Sequence, residues 1–258
     1  MRARTFPSRT QTPLHSMTNG EAEKKKDYRR AVLLQILFLT ASLLAADTLR
    51  LFHIEAGGFL FDTVFHGLAG IYLVALCDML RNYTDSKLVV SVSFGLLGVA
   101  FLILVAVNLI FSTSLDAAGL WRMVAHGILA LIQLEVIAFA IRDLFRSRIR
   151  AADRLWGTAC IYFMSGFAFA SIYATILLMR PNAFGVPLDQ EAYTYFETVY
   201  LSFNALVGLD TSYPQATRLV RNLCLVEGLW SQLYMVLLIG RLLTPGEGGV
   251  SSQDSGTV

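Results

Sequence analysis

The chain has 258 residues, of which 55% are hydrophobic and 16% charged, and its mean hydropathy is +0.56. A soluble domain must coat itself in polar side chains, so this balance excludes one and places the chain in a bilayer. A formal net charge of +2 gives no basis for a nucleic-acid partner, and three isolated cysteines, Cys77, Cys160 and Cys224, exclude a disulfide framework and paired-cysteine metal spacing.

Residues 1–30 are rich in Ser, Thr, Pro, Arg and Lys and read as a disordered basic cytoplasmic tail. Nothing before Met17 has a structural pattern, so Met17 is an alternative start to Met1. The first apolar run, residues 31–52, follows KKKDYRR and lacks a small-residue cleavage site, so it is expected to be a retained span. Asp47 and Arg50, one turn apart near its end, read as a local ion pair. Further runs cover residues 60–80, 88–111, 120–144, 155–179 and 219–243. Each reaches the roughly 20 residues that a helix needs to cross about 30 Å of hydrocarbon. Gly67, Gly70, Gly95 and Gly98 are small residues that let such helices approach closely. The tail over 245–258 is Gly- and Ser-rich and reads as disordered.

The connection between the fifth and sixth runs is the long one, from Arg180 to Val220, whereas the other outer connections are a few residues. Within it, residues 193–206 (YTYFETVYLSFNAL) are mostly apolar but too few to span, so they predict a re-entrant or interfacial helix, with Asp189 available to cap a helix start. Helix, irregular loop and full span is the layout of a pore. The expected architecture is an all-α membrane protein of six transmembrane helices, with a pore helix and filter loop between helices five and six. A four-helix domain covers 31–150 and a pore domain 151–244.

With a cytoplasmic amino terminus, 16 of the 21 Lys and Arg fall in inside segments and 5 outside, so the positive-inside rule puts both termini in the cytoplasm. Between Arg122 and Arg142 the fourth run offers only His126 and Glu135, which is no voltage sensor. Glu135, near mid-span, is a functional candidate whose partner the sequence does not name. His66 and His126 fall at similar depths, so a haem between helices is a rival reading, as is a substrate carrier built on the same residues with Glu135.

From Tyr195 to Leu243 the sequence resembles the pore domain of bacterial potassium-channel-like proteins, the two-helix pore-loop family. The residues that carry the resemblance are YLSF at Tyr200–Phe203, Val207-Gly208, Arg221, Val226-Glu227-Gly228, Gln232-Leu233-Tyr234 and Ile239-Gly240-Arg241-Leu242. It implies a homotetramer that conducts monovalent cations, potassium favoured, across the plasma (inner) membrane, with the lipid bilayer as its surroundings. The family filter is Thr-Val-Gly-Tyr-Gly-Asp, whose carbonyl oxygens replace the hydration shell of potassium. This chain keeps Val207-Gly208 and then reads Leu209-Asp210-Thr211, without the second glycine.

Three readings follow. A shortened carbonyl ladder is built from Leu206, Val207, Gly208 and Leu209, with Asp210 just outside. Alternatively, four copies of Asp210 form a carboxylate ring, the device of non-selective or divalent-permeable channels. In the third, Asp210 caps a surface turn with Thr211 and Ser212, and the chain is a non-conducting subunit. The resemblance also implies roles for the inner helix. Glu227 braces the pore helix or adds negative potential behind the filter, while Gly228 and Ser231 occupy hinge-like sites. No nucleophile stands beside a base and no ligands cluster, so no enzymatic activity, cofactor or metal is expected.

Overall fold

A computed structural model describes residues 28–44, 70–81, 84, 86–110, 115–146, 151–185, 191–209 and 213–243. Among them regular structure is α-helical throughout, without strands: α1 (28–44), α2 (70–81), α3 (Lys87–Ile110), α4 (Leu115–Arg146), α5 (Ala151–Met179), α6 (Glu191–Val207) and α7 (Arg218–Leu243). Asp47, Arg50, His66, Gly67, Asp189, Asp210, Thr211, Ser212 and residues 1–27 and 245–258 lie outside the described residues, and with them the readings that rest on those positions; residues 28–30, expected as the end of a disordered tail, instead begin α1.

Among the described residues three helices are long and apolar enough to cross a membrane, over Lys87–Val107, Gly119–Leu144 and Leu155–Met179. The chain is a membrane protein in that sense. Their buried share rises from 17% to 44% to 61% in that order, which makes α5 the central helix and α3 a peripheral one. Many large apolar side chains are exposed, including Leu88, Leu102, Leu131 and Val236, as a surface facing lipid requires.

Helix ends follow local chemistry. Ser86 caps α3 by accepting the Val89 N–H at 3.5 Å. The α4 helix runs past the apolar stretch to Arg146, because no Pro or Gly interrupts it between Glu135 and that residue.

Packing around α5 gives the direction of its neighbours. Tyr28 lies against Gly157, the Gln35 amide donates to the Cys160 carbonyl at 3.3 Å, and the Phe38 ring is 5.1 Å from Phe167, so α1 runs parallel to α5. Tyr72 is 5.3 Å from Phe167 and Met79 is 3.9 Å from Cys160, so α2 runs antiparallel. Small residues on α5 allow these approaches. In lipid, close packing and interhelical hydrogen bonds, more than apolar burial, hold helices together. The α7 helix also runs antiparallel to α5, through Tyr234 to the Thr158 carbonyl at 3.0 Å, Trp230 to Ser165 at 3.2 Å and Glu227 to Tyr173 at 2.9 Å.

Candidate functional site: the α5–α6–α7 junction

The 17-residue α6 helix descends alongside α5 and stops part of the way down. Ser202 Oγ donates to the Gly166 carbonyl at 2.7 Å, and four residues later the Leu206 carbonyl accepts from Tyr162 Oη at 3.2 Å. Phe203 packs between them, its ring 5.2 Å from Phe167 and 6.2 Å from Phe163. On the other side, Ser231 Oγ donates to the same Leu206 carbonyl at 2.5 Å. Ser231 stands midway along α7, roughly 20 Å from its start at 1.5 Å per residue.

The end of α6 is closed by a glycine cap. Gly208 N–H donates to the Ala205 carbonyl at 3.1 Å and Leu209 N–H to the Asn204 carbonyl at 2.9 Å, with Gly208 at φ +80°. These paired bonds form a Schellman motif, in which the residue after the helix takes the left-handed conformation that glycine adopts at least cost. Three of the last four carbonyls, those of Asn204, Ala205 and Leu206, thus have partners within the chain. The helix ends at Val207, one residue beyond the expected boundary. Residues Leu206–Leu209 therefore form a helix terminus and its cap, where one of the three sequence readings had a shortened carbonyl ladder. The Val207 and Leu209 side chains are exposed.

From there the chain returns to the level at which it left α5. Thr217 N–H donates to the Ala183 carbonyl at 2.8 Å, and Phe184 packs against Tyr213 at 5.1 Å. Tyr213 Oη donates to Glu197 on α6, which ties the returning strand to the descending helix. Burial, followed by the hydrogen bond and charge of Glu197, pushes the Tyr213 phenol well above its ordinary value.

Glu227 sits where the three helices meet and is fully buried. Its Oε2 accepts from Tyr173 on α5 at 2.9 Å, and its Oε1 pairs with Ser202 on α6. Cys224, one turn earlier, lies 3.4 Å from the Tyr173 hydroxyl. Gly228 lets α7 approach α6, since a Cβ there would meet the Ala205 carbonyl at 3.2 Å. Its place in the structure is at a close contact between helices.

The sequence-selected residues thus converge in part. Leu206, Glu227, Gly228 and Ser231 meet at one junction, and Val207, Gly208 and Leu209 continue from it. Sequence reasoning missed Tyr162, Gly166, Tyr173 and the Tyr213–Glu197 pair. Only Ser202, inside the YLSF stretch, carried a signal. Away from the junction, Ser93 on α3 donates to Glu135 at 2.8 Å and supplies its missing partner, while His126 stacks on Tyr195 at 5.3 Å. No group of three or more His, Cys, Asp or Glu placed to hold a metal ion occurs among the described residues. No protein-family model, no curated protein and no solved structure matches the chain.

Proposed function

We propose that the chain is one subunit of a tetrameric pore-loop cation channel of the plasma (inner) membrane, with six spans, α6 as its re-entrant pore helix and both termini cytoplasmic. The observation that carries this reading is the level at which α6 ends. Its last turn meets Ser231 midway along α7, and by Thr217 the chain is again beside Ala183. A 17-residue helix that descends and returns in this way does not cross a bilayer. Irregular backbone at such depth is tolerated where protein buries it or water lines it. The carboxyl end of α6 keeps a partial negative charge, reduced by the hydrogen bonds to its last carbonyls, and this favours a cation beyond it. One loop cannot surround an ion, but four around an axis can.

Potassium is the ion that the resemblance implies. The hydrogen bonds that occupy the Leu206 carbonyl, together with helical Val207, weigh against the carbonyl ladder, and the alternative for a conducting pore is the second reading, in which a ring of Asp210 carboxylates attracts cations with little discrimination. The scarcity of charge in the fourth span argues against strong voltage gating.

Cation flux from proteoliposomes holding the purified protein tests this, with potassium, sodium and calcium gradients compared in wild type and Asp210→Ala. Flux of several cations that falls in the variant supports the ring. Potassium flux with sodium excluded restores the carbonyl ladder, and no flux in any gradient leaves the non-conducting subunit. A monomer in native mass spectrometry from mild detergent would sink the tetramer.

A further inference from the structure

We infer that Glu227 is a proton-binding site, and that the proton it holds pins α6 between α5 and α7. The argument is a count of hydrogens. Ser202 Oγ is 2.7 Å from the Gly166 carbonyl and is also paired with Glu227 Oε1. A hydroxyl carries one hydrogen, a carbonyl none, and an ionised carboxylate none. With the Ser202 hydrogen directed to Gly166, the contact between Ser202 and Glu227 needs a hydrogen from the carboxyl itself. A protonated Glu227 completes the set: Oε1–H donates to Ser202, Ser202 donates to Gly166, and Tyr173 donates to Oε2 at 2.9 Å. The ionised form leaves two acceptors competing for one hydrogen.

Among the described residues no countercharge meets the carboxyl. Tyr173 faces the carboxyl from α5, Ser202 from α6 and Cys224 from the preceding turn of α7, and none of these is a cation. A carboxylate buried at this depth without a cation is costly, so binding a proton is how the site stays satisfied. The carboxyl then joins all three helices. When hydroxide removes the proton, the Ser202 hydrogen is drawn to the carboxylate, the Gly166 carbonyl loses it, and α6 loosens from α5. That such loosening alters ion flux rests on the channel reading; the proton site itself does not.

The test is infrared difference spectroscopy on wild-type protein and Glu227→Gln in lipid, with thermal unfolding followed from neutral to alkaline pH. The expected result is a protonated-carboxyl C=O band at neutral pH, present in wild type and missing from Glu227→Gln. That band disappears on alkalinisation while wild-type unfolding moves to lower temperature and the variant's does not. A neutral-pH difference spectrum without the band, or an equal alkaline loss of stability in both proteins, overturns the inference. If Glu227→Gln does not fold, Ser202→Ala keeps the carboxyl and removes its acceptor. The band must then shift in frequency, and an unmoved band overturns the pairing. Flux measured alongside separates the two readings: a band without flux upholds the proton site and removes the channel.

Discussion

The Phe203 ring on α6 lies so close to Gly166 on α5 that a Cβ added at Gly166 would stand 2.6 Å from it. The same glycine gives its carbonyl to Ser202. Gly166→Ala is therefore expected to force Phe203 aside, lowering thermal stability by about 1–3 kcal/mol, the usual range for overpacking. A second substitution, Phe203→Leu, should recover part of the loss. Strictly additive effects of the two changes would show that the contact is not the cause.

Gly208, at φ +80°, ends α6 in a conformation that a Cβ opposes. Gly208→Ala should cost about 1–2 kcal/mol, and Gly208→Asn less, since asparagine visits this region more readily. Denaturation of the two variants in one detergent gives the comparison. Equal losses would mean that the backbone angle is not what limits the site.

Tyr213→Phe removes the hydrogen bond to Glu197 while keeping the ring against Phe184. The expected loss is about 1.5 kcal/mol, the low end for a bond to a charged acceptor because the site is partly open to solvent. The pH dependence has a definite sign. Burial raises the Tyr213 phenol, so above the ordinary tyrosine value of about 10 the folded chain keeps a proton that the unfolded chain gives up. Stability should then fall as pH rises past that value, and the phenylalanine variant should lack this part of the fall.

Glu135 and Ser93 join α4 to α3 within the two apolar helices. A double-mutant cycle with Glu135→Gln and Ser93→Ala should give a coupling of about 0.6 kcal/mol and no more than about 1.7, as for other hydrogen bonds between membrane helices. Zero coupling would show that the pair does not join the two helices.

The helices were legible wherever apolar length decided the matter. Residues 88–111 were expected and Lys87–Ile110 is found; α6 announced itself by being too short to span. The filter region was harder to read for a physical reason. A carbonyl ladder and a Schellman cap both call for glycine after valine, because both need a positive φ. What separates them is the destination of the Leu209 N–H, which is the Asn204 carbonyl, and no residue type encodes that. Partners across helices were equally hidden. Ser93 and Glu135 are 42 positions apart, and nothing in either segment names the other.

The Leu206 carbonyl is closed by two residues made at different times. Tyr162 leaves the ribosome before it and Ser231 after it. A carbonyl left open in hydrocarbon costs several kcal/mol. Tyr162 alone gives that carbonyl one partner, and its second awaits the first half of α7. The junction of α5, α6 and α7 is complete only once Ser231 has been made, so the docking of α7 closes it.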